Sequence, residues 1–176
     1  LKGLLFVGVT ALLLYGLIGR QLNTVQRMLK SVVRSERDLR ISEGLLLDSQ
    51  RIAGLGSYAL NFSTGVWKSS EVCDQVFGIG AAYDHSVQGW SVLVHPDERA
   101  AMMEYFRTRV MEQGQTFDKE YRIVRPSDGA VRWVHGLGQL ERDGQGRLVS
   151  MRGTILDISD RKHVEAAIDA VRRQLQ

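Results

Sequence analysis

"FDKEYRIVRPSDGAVRWVHGLGQLERDGQGRLVSMRGTILDIS", Phe117 to Ser159, is three strand-like runs separated by two turn-rich stretches. Phe117, Tyr121 and Ile123 alternate with Asp118, Glu120 and Arg122, the period-two pattern of a strand with one buried face. "RPSDGA" has the composition of a tight turn, and Val131, Trp133, His135 and Leu137 run back from it. "RDGQGR" turns the chain again into Leu148 to Ile158, so a three-stranded antiparallel meander is predicted. Further upstream, Tyr58, Leu60 and Phe62 alternate with Ala59 and Asn61, and "STG" turns into Val66 and Trp67 as a first hairpin.

Helical patterns lie between the hairpin and the meander. "SSEVCDQVFGIG" has Ser69 or Ser70 as N-cap and Gly78 as a stop. A short stretch with Trp90 leads to "VHPDERAAMMEYFRTRVMEQGQ", where Pro96 suits the first turn, Asp97 and Glu98 complement the helix dipole, and Gly114 closes the helix. Met102, Met103, Phe106 and Val110 form its apolar stripe. Two strands, several helices and three more strands make an α+β fold, a five-stranded antiparallel sheet with helices on one face.

The last strand runs into a helix almost without a loop. Ser159 or Asp160 can cap its first free N–H groups, which would couple sheet position to helix position. A plain helix cap is the simpler reading of the same residues. Val164, Ile168, Val171 and Leu175 then repeat at four, three and four residues, a short heptad seam.

The first twenty residues differ from all of this. Gly3 to Gly19, "GLLFVGVTALLLYGLIG", has no charged residue and would form a helix about 25 Å long, against a hydrocarbon core of roughly 30 Å, with Lys2 and Arg20 able to snorkel. A signal-peptide core and a buried helix compete with a membrane span. The span is preferred because "GRQLNTVQRMLK" continues as charged amphipathic helix rather than a cleavage site. The Lys/Arg excess follows the span, which predicts that the rest is cytoplasmic. Leu22, Val25, Leu29, Val32 and Leu39 form a heptad seam with Glu36 in a core slot, predicting a parallel dimer through this linker.

Over 176 residues the formal charge is +3, and the basic residues between Arg20 and Arg40 account for the excess; no basic face marks a nucleic-acid partner. One cysteine, Cys73, excludes an intramolecular disulfide and suits a small buried hydrophobe. His85, His95, His135 and His163 lack metal-ligand spacing. There is no phosphate-binding glycine loop, nucleophile elbow or paired carboxylate site, so no catalytic residue is assigned. The chain begins at Leu1 and stops at Gln176 within a helical pattern, and is read as a piece of a longer protein.

The succession "GLGSYALNFSTGVWKSSEVCDQVFG", "WSVLVHPDE", "FDKEYRIVRPSDGAVRWVHGLGQLERDGQGR" and "GTILDISDRK" resembles the PAS sensory domain, over Gly54 to Lys162. Glu98 stands where that branch has a second aspartate, and Ser159 where its "DIT" motif has threonine. The hydropathy and the heptad seam give the segments 1–20 (transmembrane helix) and 21–53 (coiled-coil linker), and the resemblance implies 54–160 (PAS domain) and 161–176 (output helix). It implies a sensory and dimerising module of a bacterial inner-membrane receptor, not a catalyst, signalling to a histidine kinase or a cyclic-di-GMP enzyme. Asp157 and Ser159, with Asp160 and Arg161 after them, would relay the signal, and helices 22–46 and 161–176 would form the homodimer. Tyr58, Trp67, Trp90, Phe106, Tyr121 and Trp133 would line a ligand pocket or fill the core. No cofactor is required: His95 and His135 give no clear axial ligand for haem, and Cys73 lies outside the helix where light-sensing flavin members carry theirs. The rival readings are a ligand-free dimerisation spacer and a haem- or flavin-bound redox or gas sensor.

Overall fold

The computed structural model describes residue 30 and residues 33–174. The span predicted for residues 1–20, the seam positions Leu22, Val25, Leu29 and Val32, and Leu175 lie outside the described residues. Among the described residues no helix is long and apolar enough to cross a membrane. A first compact unit ends at Asp48 and a second runs from Ser49. Helix α1 covers residues 33–52. Leu39 on it is exposed, and Glu36 pairs with Arg40 at 2.8 Å.

The second unit contains β1 (Leu55–Asn61), β2 (Val66–Ser69), α2 (Glu71–Phe77), α3 (Val87–Leu93), α4 (Pro96–Tyr105), β3 (Phe117–Val124), β4 (Val131–Arg142), β5 (Leu148–Asp157) and α5 (Ser159–Gln174). The five strands form one sheet in the order β2-β1-β5-β4-β3, with every pair antiparallel. The strand nearest the C-terminus is therefore central, hydrogen-bonded to β1 on one side and β4 on the other.

Local chemistry explains the helix ends. Ser70 caps α2, accepting the Cys73 N–H, and Gly78 ends it at φ 66°, a left-handed conformation that costs glycine nothing. Ser86 caps α3 through the Gly89 N–H. Pro96 opens α4, whose first turn carries Asp97 and Glu98 and whose N-cap is the His95 ring. After Tyr105 the helix widens into π turns over Phe106–Glu112, which keep Phe106 and Val110 buried.

The core lies between the sheet and α2, α3 and α4. It contains Leu60 and Trp67 from the first hairpin, Cys73 and Phe77 from α2, Phe106 and Val110 from the π turns, and Phe117, Tyr121, Val134, Met151 and Ile155 from the meander. On β4 the inward residues are Val134, Gly136 and Gly138, while Val131, Trp133, His135 and Leu137 face outward. The bulkier alternating set is thus on the outer face. Gly136 and Gly138 are inside because the inner layer is already full: a methyl on Gly136 would stand 2.8 Å from the Phe117 ring, and one on Gly138 2.6 Å from the Tyr58 hydroxyl.

Candidate functional site: an apolar cavity and a strand-to-helix joint

A cavity of about 40 Å³ lies between the sheet and the helices, lined by Tyr58, Leu60, Trp67, Phe77, Val87, Trp90, Phe106, Phe117, Tyr121, Met151 and Ile155. Each aromatic comes from a different register position that the sheet and caps fix. Tyr58 and Trp67 sit on the inner face of the first hairpin, Trp90 on α3, Phe106 on the π turn, and Tyr121 on β3. Trp90 meets Phe106, Phe117 and Tyr121 with ring centroids 5.5, 5.9 and 6.2 Å apart, in tilted and edge-on geometries.

The polar atoms of this lining are engaged internally. Trp67 Nε1 donates to the Ser86 carbonyl at 3.0 Å, Trp90 Nε1 to Tyr121 Oη at 3.1 Å, and Tyr58 Oη to the Leu137 carbonyl at 3.0 Å. Burial pushes both phenols, Tyr58 and Tyr121, well above the ordinary tyrosine range, and each remains a neutral hydroxyl. Cys73 is fully buried behind the cavity wall, its thiol pushed up to about 12 by desolvation and the nearby Asp74 charge. It packs as a small hydrophobe.

Haem does not fit this lining. No histidine or cysteine lines the cavity, the Tyr58 and Tyr121 hydroxyls are engaged in hydrogen bonds within the protein, and the volume is far below that of any macrocycle. His95 caps α4, His85 lies against Trp67 at 4.5 Å, and His135 bonds Asp118 at 2.7 Å on the outer face. Among the described residues no cluster of His, Cys, Asp or Glu could hold a metal ion.

The structure brings Tyr58, Trp67, Trp90, Phe106 and Tyr121 together around the cavity. Trp133 is elsewhere. It stands opposite Arg122 on the outer face, where period two places it once Val134 points inward. Leu60, Phe77, Val87, Phe117, Met151 and Ile155 complete the lining. Leu60 and Phe117 were signalled by strand alternation; Met151 and Ile155 stand on the central strand, where their apolar character reads only as core.

At the sheet's end, β5 passes into α5 through Ile158. The Asp157 carboxylate accepts the Ser159 N–H at 2.9 Å and lies 3.5 Å from Arg132 Nη1. Ser159 Oγ does not cap its own helix: it accepts the Trp133 backbone N–H at 3.0 Å. The Ile158 N–H donates to the Trp133 carbonyl at 2.9 Å. Both backbone groups of Trp133 are thus bonded to the chain beyond β5, and the ladder continues into the helix. Ile158 and Ser159 are buried, at 6% and 5% exposure. Asp160 is exposed in the first turn, where its charge suits the helix dipole. Arg161 reaches Glu120 at 2.6 Å and Glu165 at 2.8 Å.

The family profile described as the PAS fold matches residues 66–155, and the chain belongs to that family. Among similar curated proteins, the sensor protein FixL of Bradyrhizobium diazoefficiens is 30% identical over 115 residues, covering 65% of this chain and 22% of that protein. The methyl sulfide methyltransferase-associated sensor of Methanosarcina acetivorans is 26% identical over 113 residues, covering 62% of this chain and 11% of that protein. The chain therefore spans less than a quarter of either relative. Among solved structures, a sensory box histidine kinase/response regulator from Burkholderia thailandensis superposes with a TM-score of 0.61 at 27% identity, covering 74% of this chain and 96% of that one. The N-terminal domain of a diguanylate cyclase with PAS/PAC sensor from Marinobacter aquaeolei superposes with a TM-score of 0.57 at 22% identity, covering 62% and 99%, and shares the fold. The domain is a PAS sensory domain, a regulatory rather than catalytic module.

Proposed function

We propose that the chain is the membrane-proximal cytoplasmic input module of a signalling receptor, which senses through its PAS domain and relays through α5 to a histidine kinase or cyclic-di-GMP effector. The observation that carries the reading is the joint at Trp133, Ile158 and Ser159. A sheet whose central strand leaves as a helix, with the ladder continuing through the junction, moves that helix whenever it moves. The Ser159 hydroxyl bond and the Asp157 cap each contribute about 1 kcal/mol to holding this geometry. Val164, Ile168 and Val171 are exposed along one stripe of α5, which suits pairing with a second copy. The uncharged run from Gly3 to Gly19 supports anchoring to the bacterial inner membrane.

A second reading, a ligand-free dimerising spacer, is favoured by the small size of the cavity. About 40 Å³ is well under the roughly 150 Å³ that accommodates benzene in an engineered core.

Single cysteines along α5, in a Cys73→Ala background, test the relay reading. Oxidative cross-linking should be strong at Ile168→Cys and weak at Asp169→Cys, and Ser159→Ala should redistribute it. Uniform cross-linking along α5, or none, overturns dimeric relay through this helix.

A further inference from the structure

The outer face of β3 and β4 carries a side-chain cluster that the cavity does not use and that shares only the Trp133 backbone with the joint. Arg122 on β3 is clamped by the first turn of α4: its backbone N–H donates to Glu98 Oε2 at 2.9 Å and its Nε to Oε1 at 2.6 Å. Asp97 Oδ2 lies 3.6 Å from Nη2 of the same guanidinium. Arg122 is also the direct cross-strand neighbour of Trp133, with its guanidinium carbon 5.9 Å from the indole centroid.

A second cation shares that ring. Lys162 of α5 holds its Nζ 5.1 Å from the Trp133 centroid, and Glu120 on β3 fixes it there at 2.7 Å. Two cations from different elements therefore use one indole, each backed by its own carboxylate. Such contacts are attractive through the ring's quadrupole, but two cations at one ring also repel each other. Glu98 fixes where the Arg122 guanidinium stands against the ring, and so how much of the indole face is left to Lys162. Glu98 forms no bond with α5, yet through the ring its grip on Arg122 bears on how firmly Lys162 is held.

We propose that Trp133 is a positioning residue that couples the start of α4 to the first turn of α5, along Glu98, Arg122, Trp133 and Lys162. The coupling rests on the relay reading for its purpose, not for its existence. The same α4 runs on into the π turn that brings Phe106 to the cavity, so a shift there reaches α5 along the outer face as well as through β5. Spatial continuity alone does not establish energetic coupling; a mutant cycle does.

Amide hydrogen exchange at Lys162 to Ala166, measured on the full chain, is the readout, with the buried Val134 amide as the control for an intact sheet. Glu98→Gln should speed exchange in the first turn of α5 about two- to five-fold, the range expected from weakening one exposed cation–π contact. In a Trp133→Leu background the same change should have no further effect, and Trp133→Tyr, which restores a ring face, should restore the dependence. Lys162→Met, which leaves the core untouched, should also abolish it. If Glu98→Gln leaves α5 unchanged, the proposal fails. It also fails if the effect persists in Trp133→Leu, which would indicate through-space charge, or if Trp133→Tyr does not restore it. Effector output from the longer protein is a separate measurement: a coupled α5 with an indifferent effector would sink the relay reading and leave the coupling standing.

Discussion

At the scale of single residues, three positions in register give the sheet its tightest contact. Tyr58, Gly153 and Gly138 lie side by side across β1, β5 and β4. The phenol lies over both glycines and bonds the Leu137 carbonyl beyond them. A methyl on Gly153 would stand 1.8 Å from that carbonyl oxygen and 2.7 Å from Tyr58 Cζ, so the backbone or the ring must give way. Gly153→Ala should therefore destabilise the domain by about 3 kcal/mol, the upper end of overpacking costs, seen as a lower urea midpoint with an unchanged slope. A midpoint equal to wild type would mean that the sheet yields easily here. Phe106 offers the opposite test. Phe106→Ala should cost about 3–5 kcal/mol by enlarging the cavity, and benzene should then raise the melting temperature of the variant but not of the wild type.

At the scale of elements, α5 is held on the sheet by its first turn and by little else. Glu120 accepts from Lys162 and Arg161, and those hydrogen bonds, Lys162 first, keep its carboxyl below the ordinary value of 4.5. A native value below the unfolded one means that the contribution is complete above the unfolded value and is lost as pH falls through the native one. The melting temperature of wild type should thus exceed that of Glu120→Gln at pH 7, and the difference should close as pH falls below about 4. A difference that stays constant to pH 3 would show that the carboxylate charge does not hold the helix. The strands, their order along the chain, the caps at Ser70 and Gly78 and the helix after Ile158 were legible in alternation and turn chemistry. Which face of β4 points inward was not. Hydropathy sees Trp133 and Leu137 but not Gly136 and Gly138, whose value lies in the volume they leave for Phe117 and Tyr58. That reversal moved Trp133 from the pocket to the outer face. The π turns were equally silent, because Phe106 and Val110 fit an ordinary helical stripe.

At the scale of the whole molecule, the site divides into an apolar cavity on one side of the sheet and a charged cluster on the other, with β3 contributing to both. The indole nitrogens of Trp67 and Trp90 and the Tyr58 hydroxyl donate within the protein, and Tyr121 Oη accepts one of these bonds, which suits a small uncharged occupant or none; the charge that could respond to a change of shape lies outside. Aromatic residues marked the cavity in the sequence because they are large, with Tyr58, Trp67 and Tyr121 on strands and Trp90 and Phe106 on helical segments. Nothing in the sequence marked its size, which follows from how completely eleven side chains fill the space.

The strand order also bears on how the chain is made. β1 and β2 form one hairpin, β3 and β4 another, and within the sheet the two meet only through β5, where Leu55 faces Leu156. During synthesis both hairpins emerge with a row of open backbone groups before the segment that seals them exists. Such long-range closure is slow, and the exposed edges are a template for mispairing. Acquisition of the native sheet is thus postponed until the domain's final strand has been made, and the residues that finish the sheet are those from which α5 departs.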